Sequence, residues 1–170
     1  MSKKFRQFSL YILAGVTYLI IHEGVHLLQA FKHNIFRGLR FNGIGIEVMI
    51  TEPLTIGGWR LACFSGLSSI ATILIGYIIY LLTPLILSGK SRLLKGYLYY
   101  TALVFLLVDP LYIAVFSFVV GGDINGIALG LDIPYMLIRA VFAAVLVLNI
   151  VLVVKKLYPQ YTNDASFKPR

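Results

Sequence analysis

Four long apolar runs separated by short polar or basic stretches organise the chain, at residues 8–31, 59–87, 96–120 and 135–154. A helix needs about 20 mainly apolar residues to cross a bilayer, so the pattern predicts four transmembrane helices. Between the first two runs the period changes. Residues 37–41, then Asn42-Gly43, then 44–50 with Ile44, Ile46, Val48 and Ile50 alternating, predict a β-hairpin, because Asn-Gly suits a tight turn. Being amphipathic, this hairpin is expected at the membrane surface beside the first helix. The expected fold is an all-α integral membrane protein with four spans and a short membrane-associated β-hairpin between helices 1 and 2. It forms a single domain over 1–154, followed by a basic polar tail, 155–170, read as disordered.

Interruptions in the runs add detail. The first run continues without a small-residue cleavage site, so it is read as a retained span rather than a secretory signal. The second opens with Trp59-Arg60 after Gly57-Gly58, and its first half is rich in small residues: Ala62, Ser65, Gly66, Ser68, Ser69 and Ala71. Small residues let helices approach closely in lipid, and the expected partner is the first helix. Asp109-Pro110 is expected to kink the third run. Beyond it, Asp123 is read as the cap of a short helix that Gly130 ends, Asp132 as the cap of the last span, and Asn149 as an interhelical hydrogen-bonding residue.

Composition agrees with this picture. The chain is 170 residues long, 59% hydrophobic and 13% charged, with a mean hydropathy of +0.86, which a soluble surface would not tolerate. Its net charge of +8 comes from 15 Lys and Arg against 7 Asp and Glu. The basic residues flank the apolar runs, which suits lipid headgroups and not nucleic acid. Cys63 is the only cysteine, so a disulfide within the chain and a thiolate metal site are excluded. Residues 121–134 carry no Lys or Arg, which favours both termini in the cytoplasm, although the first connection carries Lys32, Arg37, Arg40 and Arg60.

The candidate chemistry lies inside the first apolar run, where His22, Glu23 and His26 form the pattern His-Glu-Gly-Val-His. Residues four apart share a helix face, so two imidazoles can meet one metal ion. Glu23 is turned aside, towards a water rather than the metal. Polar groups at mid-bilayer cost about 2.5 to 3.5 kcal/mol each, so a bound ion is the expected compensation. A catalytic zinc usually takes three protein ligands. The remaining candidates are Asp109, Asp123 and Asp132, with His33 set aside because it lies beyond the helix end. Asp123 is favoured, since its flanking glycines permit irregular backbone around a cavity; Asp109 is the alternative, and Asp132 reads better as a cap.

At these residues the chain resembles the site-2 protease family, zinc metalloproteases whose active site lies within the membrane. His22, Glu23 and His26 match its HExxH motif, Gly121-Gly122-Asp123 is similar to its aspartate motif without the usual Asn-Pro-Asp-Gly or Leu-Asp-Gly wording, and residues 64–69 resemble its middle-helix segment with Pro and Asn missing. The resemblance covers residues 8 to 135. It implies one Zn2+ per chain on His22, His26 and Asp123, Glu23 as general base, and a membrane-anchored protein or peptide substrate held extended along the hairpin. The expected setting is multi-pass, in a prokaryotic cell membrane. A rival reading makes the chain a non-enzymatic metal-binding or metal-ion transport protein, because intramembrane carboxylates also mark ion paths.

Overall fold

A computed structural model describes residues 3–41, 46–51, 55–119 and 122–164. Among them, four helices are long and apolar enough to cross a membrane: Lys4–Lys32, Trp59–Leu81, Arg92–Phe118 and Tyr135–Asn163. The chain is thus a helical membrane protein with the expected number of spans. In order, the elements are α1 (Lys3–Lys32), the hairpin β1 (Phe36–Phe41) and β2 (Ile46–Ile50), α2 (Trp59–Leu81), a short α3 (Thr83–Ser88), α4 (Arg92–Ala114), α5 (Asp123–Leu131), α6 (Tyr135–Leu152) and α7 (Tyr158–Asn163).

Local chemistry sets several of these boundaries. Gly58, at φ 56, takes a left-handed conformation that costs a glycine little, and its carbonyl accepts the Leu61 and Ala62 N–H groups that open α2. Ser91 caps α4, its hydroxyl accepting from the Leu94 N–H at 3.3 Å. Strands β1 and β2 pair antiparallel, with Leu39 opposite Val48 and Arg40 opposite Glu47, and an irregularity lies between Phe36 and Gly38. The expected Asn42-Gly43 turn lies outside the described residues. One face of the hairpin is apolar: Phe36, Val48 and Ile50 pack on Ala30, Ile35 and Phe64. The other carries the Arg40–Glu47 ion pair at 2.8 Å.

Helix α2 packs against α1, α4 and α5. Its small residues therefore serve more than the expected partner α1, and they meet α5 most closely. A Cβ built on Gly126 would lie 1.8 Å from Ser65 Oγ, and one on Gly130 would lie 2.5 Å from Ala62 N. Gly130 therefore does not end α5, as the sequence suggested, but lets it lie flush on α2. The end is made by Asp132, exposed and left-handed at φ 53, which caps α5 and not the last span.

Pro110 does not break α4, which remains one helix through it. A proline leaves the carbonyl four residues earlier without its helical donor. Here that carbonyl is Leu106 O, and Asn149 Nδ2 of α6 donates to it at 2.6 Å, while Tyr77 OH of α2 donates to Asn149 Oδ1 at 2.5 Å. The expected interhelical role of Asn149 is thereby met, and it also fills the gap that Pro110 opens.

The expected disordered tail is helical as far as Asn163, by way of a π-helical turn at Val153–Leu157. Val153, Leu157 and Tyr161 recur every fourth residue and bury one stripe against Ile79, Ala102 and Leu106. Lys95 and Asp164 close this end of the bundle with an ion pair at 2.9 Å.

Candidate metal centre

The centre is built on one stripe of α1. Tyr18, His22 and His26 follow each other at four-residue spacing, with ring centroids 5.5 Å apart for the first pair and 5.1 Å for the second. Both histidines are buried. One turn further, Gln29 Nε2 donates to Phe64 O at 3.2 Å and ties the stripe to α2. The sequence spacing alone dictates this alignment.

Asp123 reaches the stripe from the far half of the chain. Gly122, at φ 83, turns the backbone sharply into α5, and Asp123 is that helix's first residue rather than its cap. The Gly126 and Gly130 contacts then hold α5 on α2. As a result His22 Nε2 lies 3.3 Å from Asp123 Oδ2, and His26 Nε2 lies 3.3 Å from Asp123 Oδ1.

Do these groups suit a metal? The three ligand atoms lie within 4.8 Å of one another, and among the described residues this is the one His/Cys/Asp/Glu group so arranged. Two imidazoles and a carboxylate match the usual donors of zinc. Charge-assisted N–H···O bonds run about 2.7–2.9 Å, shorter than the separations here. Two ligands each about 2.0–2.1 Å from a tetrahedral zinc would stand about 3.3 Å apart. His22, His26 and Asp123 can therefore hold one metal ion.

Asp109, the alternative third ligand, has a different position. It is fully buried on α4 and faces the other nitrogen of the same imidazole, with His22 Nδ1 at 3.3 Å from its Oδ1. Tyr18 OH and Ser69 Oγ donate to that oxygen at 2.8 and 3.0 Å, and Thr72 Oγ1 donates to Oδ2. So engaged, and set on the Nδ1 side of the His22 ring, Asp109 stands apart from the His22/His26/Asp123 group, where it can orient the imidazole. His26 is held differently: the Phe64 ring lies 5.2 Å from it, tilted by 49°, and His26 Nδ1 has no hydrogen-bond partner among the described residues. Asp132 caps the opposite end of α5 and His33 lies past the end of α1, so neither joins the cluster.

Glu23 lies beside the histidines and lines a cavity of about 760 Å³ together with His22, His26 and Asp123. Its Oε2 accepts the Val48 N–H at 3.4 Å. That N–H points away from β1, so the outer edge of β2, which pairs with no further strand among the described residues, runs along the cavity wall. The rest of the lining is mainly apolar, including Leu19, Ile46, Ile50, Val108 and Phe116, and contains no Lys or Arg among the described residues. Sequence reasoning missed Tyr18, Ser69 and Thr72, whose hydroxyls converge from two helices, and Tyr112, which lines the cavity one turn beyond Asp109.

No family model, no curated protein and no solved structure matches the chain.

Proposed function

We propose that this protein is an intramembrane zinc metalloprotease of the site-2 protease kind, set in a prokaryotic cell membrane and cutting membrane-anchored protein or peptide substrates. The observation that carries the reading is the approach of both His Nε2 atoms to the two oxygens of Asp123, with Glu23 and the outer edge of β2 in the same cavity. One zinc per chain, held by His22, His26 and Asp123, would supply Lewis acidity to a water and to the scissile carbonyl. Asp109 holds the His22 ring so that Nε2 keeps its lone pair for the metal. Glu23, next to His22 but outside the ligand cluster, takes the proton of the attacking water and passes it to the leaving amine.

The substrate must be unwound, because the carbonyls of a transmembrane helix are hydrogen-bonded within it. The outer edge of β2 offers main-chain partners to an extended segment, and the apolar lining accepts its side chains. A metal-ion carrier would need its intramembrane carboxylates free for the ion, whereas Asp109 is engaged by Tyr18, Ser69, Thr72 and His22.

The test is Glu23→Gln in purified protein. General-base catalysis contributes about 10²- to 10⁴-fold, so peptide cleavage should drop by that order while zinc content stays unchanged. Undiminished cleavage would remove Glu23 from this role.

A further inference from the structure

Glu23 and β2 meet at one main-chain group. Glu23 Oε2 accepts the Val48 N–H at 3.4 Å, a partly buried contact in the cavity wall. Along an antiparallel ladder, every second residue sends its N–H and C=O outward. Leu39 pairs with Val48 and Arg40 with Glu47, and the Val48 N–H leaves the sheet towards α1, so Ile46, Val48 and Ile50 form the outer row. The next N–H in the opposite phase agrees: Thr51 donates back to Ile35 O at 2.9 Å.

We infer that Glu23 and the Val48 N–H form a latch that an extended substrate opens. A segment pairing with the outer edge of β2 takes the N–H, and Glu23 is thereby released towards the metal side of the cavity. The latch rests on the proteolytic reading and deepens it, because it makes Val48 a positioning residue that ties the base to the presence of a paired strand.

Competition for the N–H follows from the spacing. A strand added to β2 would lie about 4.7–4.9 Å from it, bringing a carbonyl oxygen to about 2.9–3.0 Å from the Val48 nitrogen. Glu23 Oε2 already stands in that layer, 3.4 Å from the same nitrogen. Sharing the N–H would set a carbonyl oxygen against a carboxylate oxygen, and the lining holds no Lys or Arg among the described residues to offset them. The existing bond is long, whereas a ladder bond forms at its optimal length together with those of Ile46 and Ile50. The incoming strand therefore wins the N–H. Glu23 shares the cavity with His22, His26 and Asp123, so the displaced carboxylate turns to the side where those residues can hold a cation.

Selectivity then shows in turnover. A segment long enough to lie along β2 meets a released base. One too short can enter the apolar lining but leaves Glu23 on the strand. Because main-chain groups do the reading, the latch selects for extension and not for particular side chains. Contacts remote from the cleaved bond thus raise kcat as well as lowering KM. A hydrogen bond to a charged group shifts an equilibrium by about 10- to 100-fold, and the length of this one sets the effect near the lower figure.

Three measurements on zinc-loaded, full-length protein test the latch. Two fluorogenic peptides share the residues around the cleaved bond, and one is extended by the length of β2, five residues. In the wild type, kcat should be about tenfold higher on the longer peptide. Val48→Pro removes the N–H where it points out of the sheet, a place where an edge strand tolerates proline. Its kcat on the shorter peptide should rise about tenfold. Equal kcat values in the wild type overturn the latch, as does a Val48→Pro protein of unaltered melting temperature whose kcat on the shorter peptide is unchanged or lowered. The third measurement is binding and holds even if Val48→Pro does not fold. Glu23→Ala leaves the N–H to the substrate, so a non-cleavable copy of the longer peptide, with an alkene in place of the cleaved bond, should bind about tenfold more tightly than to the wild type. The shorter copy should bind both equally. Equal or weaker binding of the longer copy to Glu23→Ala overturns the latch. Cleavage of neither peptide by the wild type, or cleavage that survives Glu23→Gln, removes the proteolytic reading and the latch with it, whereas cleavage of both with one kcat removes the latch alone.

Discussion

Two aspartates approach the same imidazole from opposite sides, and their surroundings give them different work. Asp123 faces His22 Nε2 and His26 Nε2 at 3.3 Å each and borders the cavity. Asp109 faces His22 Nδ1 at the same distance, but it is fully buried among the hydroxyls of Tyr18, Ser69 and Thr72. An intramembrane carboxylate must have its charge compensated. Hydroxyl donors compensate Asp109, whereas among the described residues no hydroxyl donates to Asp123, which faces the two histidines and could hold a metal with them. Residue type and membrane depth alone would not have told them apart.

Substitution at the two positions should separate their roles. Asp123→Asn removes a charged ligand, so stoichiometric zinc should be lost on dialysis, measured by elemental analysis of purified protein. Retained zinc would mean that Asp123 is not a ligand. Asp109→Asn keeps size and part of the hydrogen bonding, and loss of such an orienting partner typically costs about 10- to 100-fold in metal affinity. Competition with a chelator should therefore show weakened but measurable zinc binding. A loss as complete as in Asp123→Asn would erase the distinction between them.

A smaller effect comes from the support beneath Asp123. Gly126→Ala would force a methyl onto Ser65, where the Cβ position lies 1.8 Å from Oγ. Overpacking of this kind costs about 1–3 kcal/mol. The melting temperature should fall, and zinc affinity should fall with it because α5 carries Asp123 but not Asp109. An unchanged affinity in a destabilised protein would show that α5 can shift without moving its first residue.

How much of this was legible in the sequence follows from how local each signal is. The spans, the hairpin and the His22/Glu23/His26 pattern each depend on a few neighbouring residues and a fixed period, and the fold places them as expected. The contact of Asp123 with the histidines was foreseeable from the alternation of spans and the glycines around it. The hydroxyl cage of Asp109 was not, because Ser69 and Thr72 carry no sign of their partner until α2 lies against α4. Other signals were present but misread or passed over. Gly130 was taken as a helix end, yet it stands four residues from Gly126, a spacing of small residues common where membrane helices pack closely. Val153, Leu157 and Tyr161 keep a helical period through residues whose polar neighbours suggested a tail.

The central claim is that His22, His26 and Asp123 together hold one catalytic zinc, and X-ray absorption at the zinc edge of the purified chain tests it most directly. The predicted result is one zinc per chain with two imidazole nitrogens and a carboxylate oxygen at about 2.0–2.2 Å, reduced to a single imidazole in His26→Ala. A zinc content far below one per chain, or a coordination sphere indifferent to His26→Ala, would contradict it.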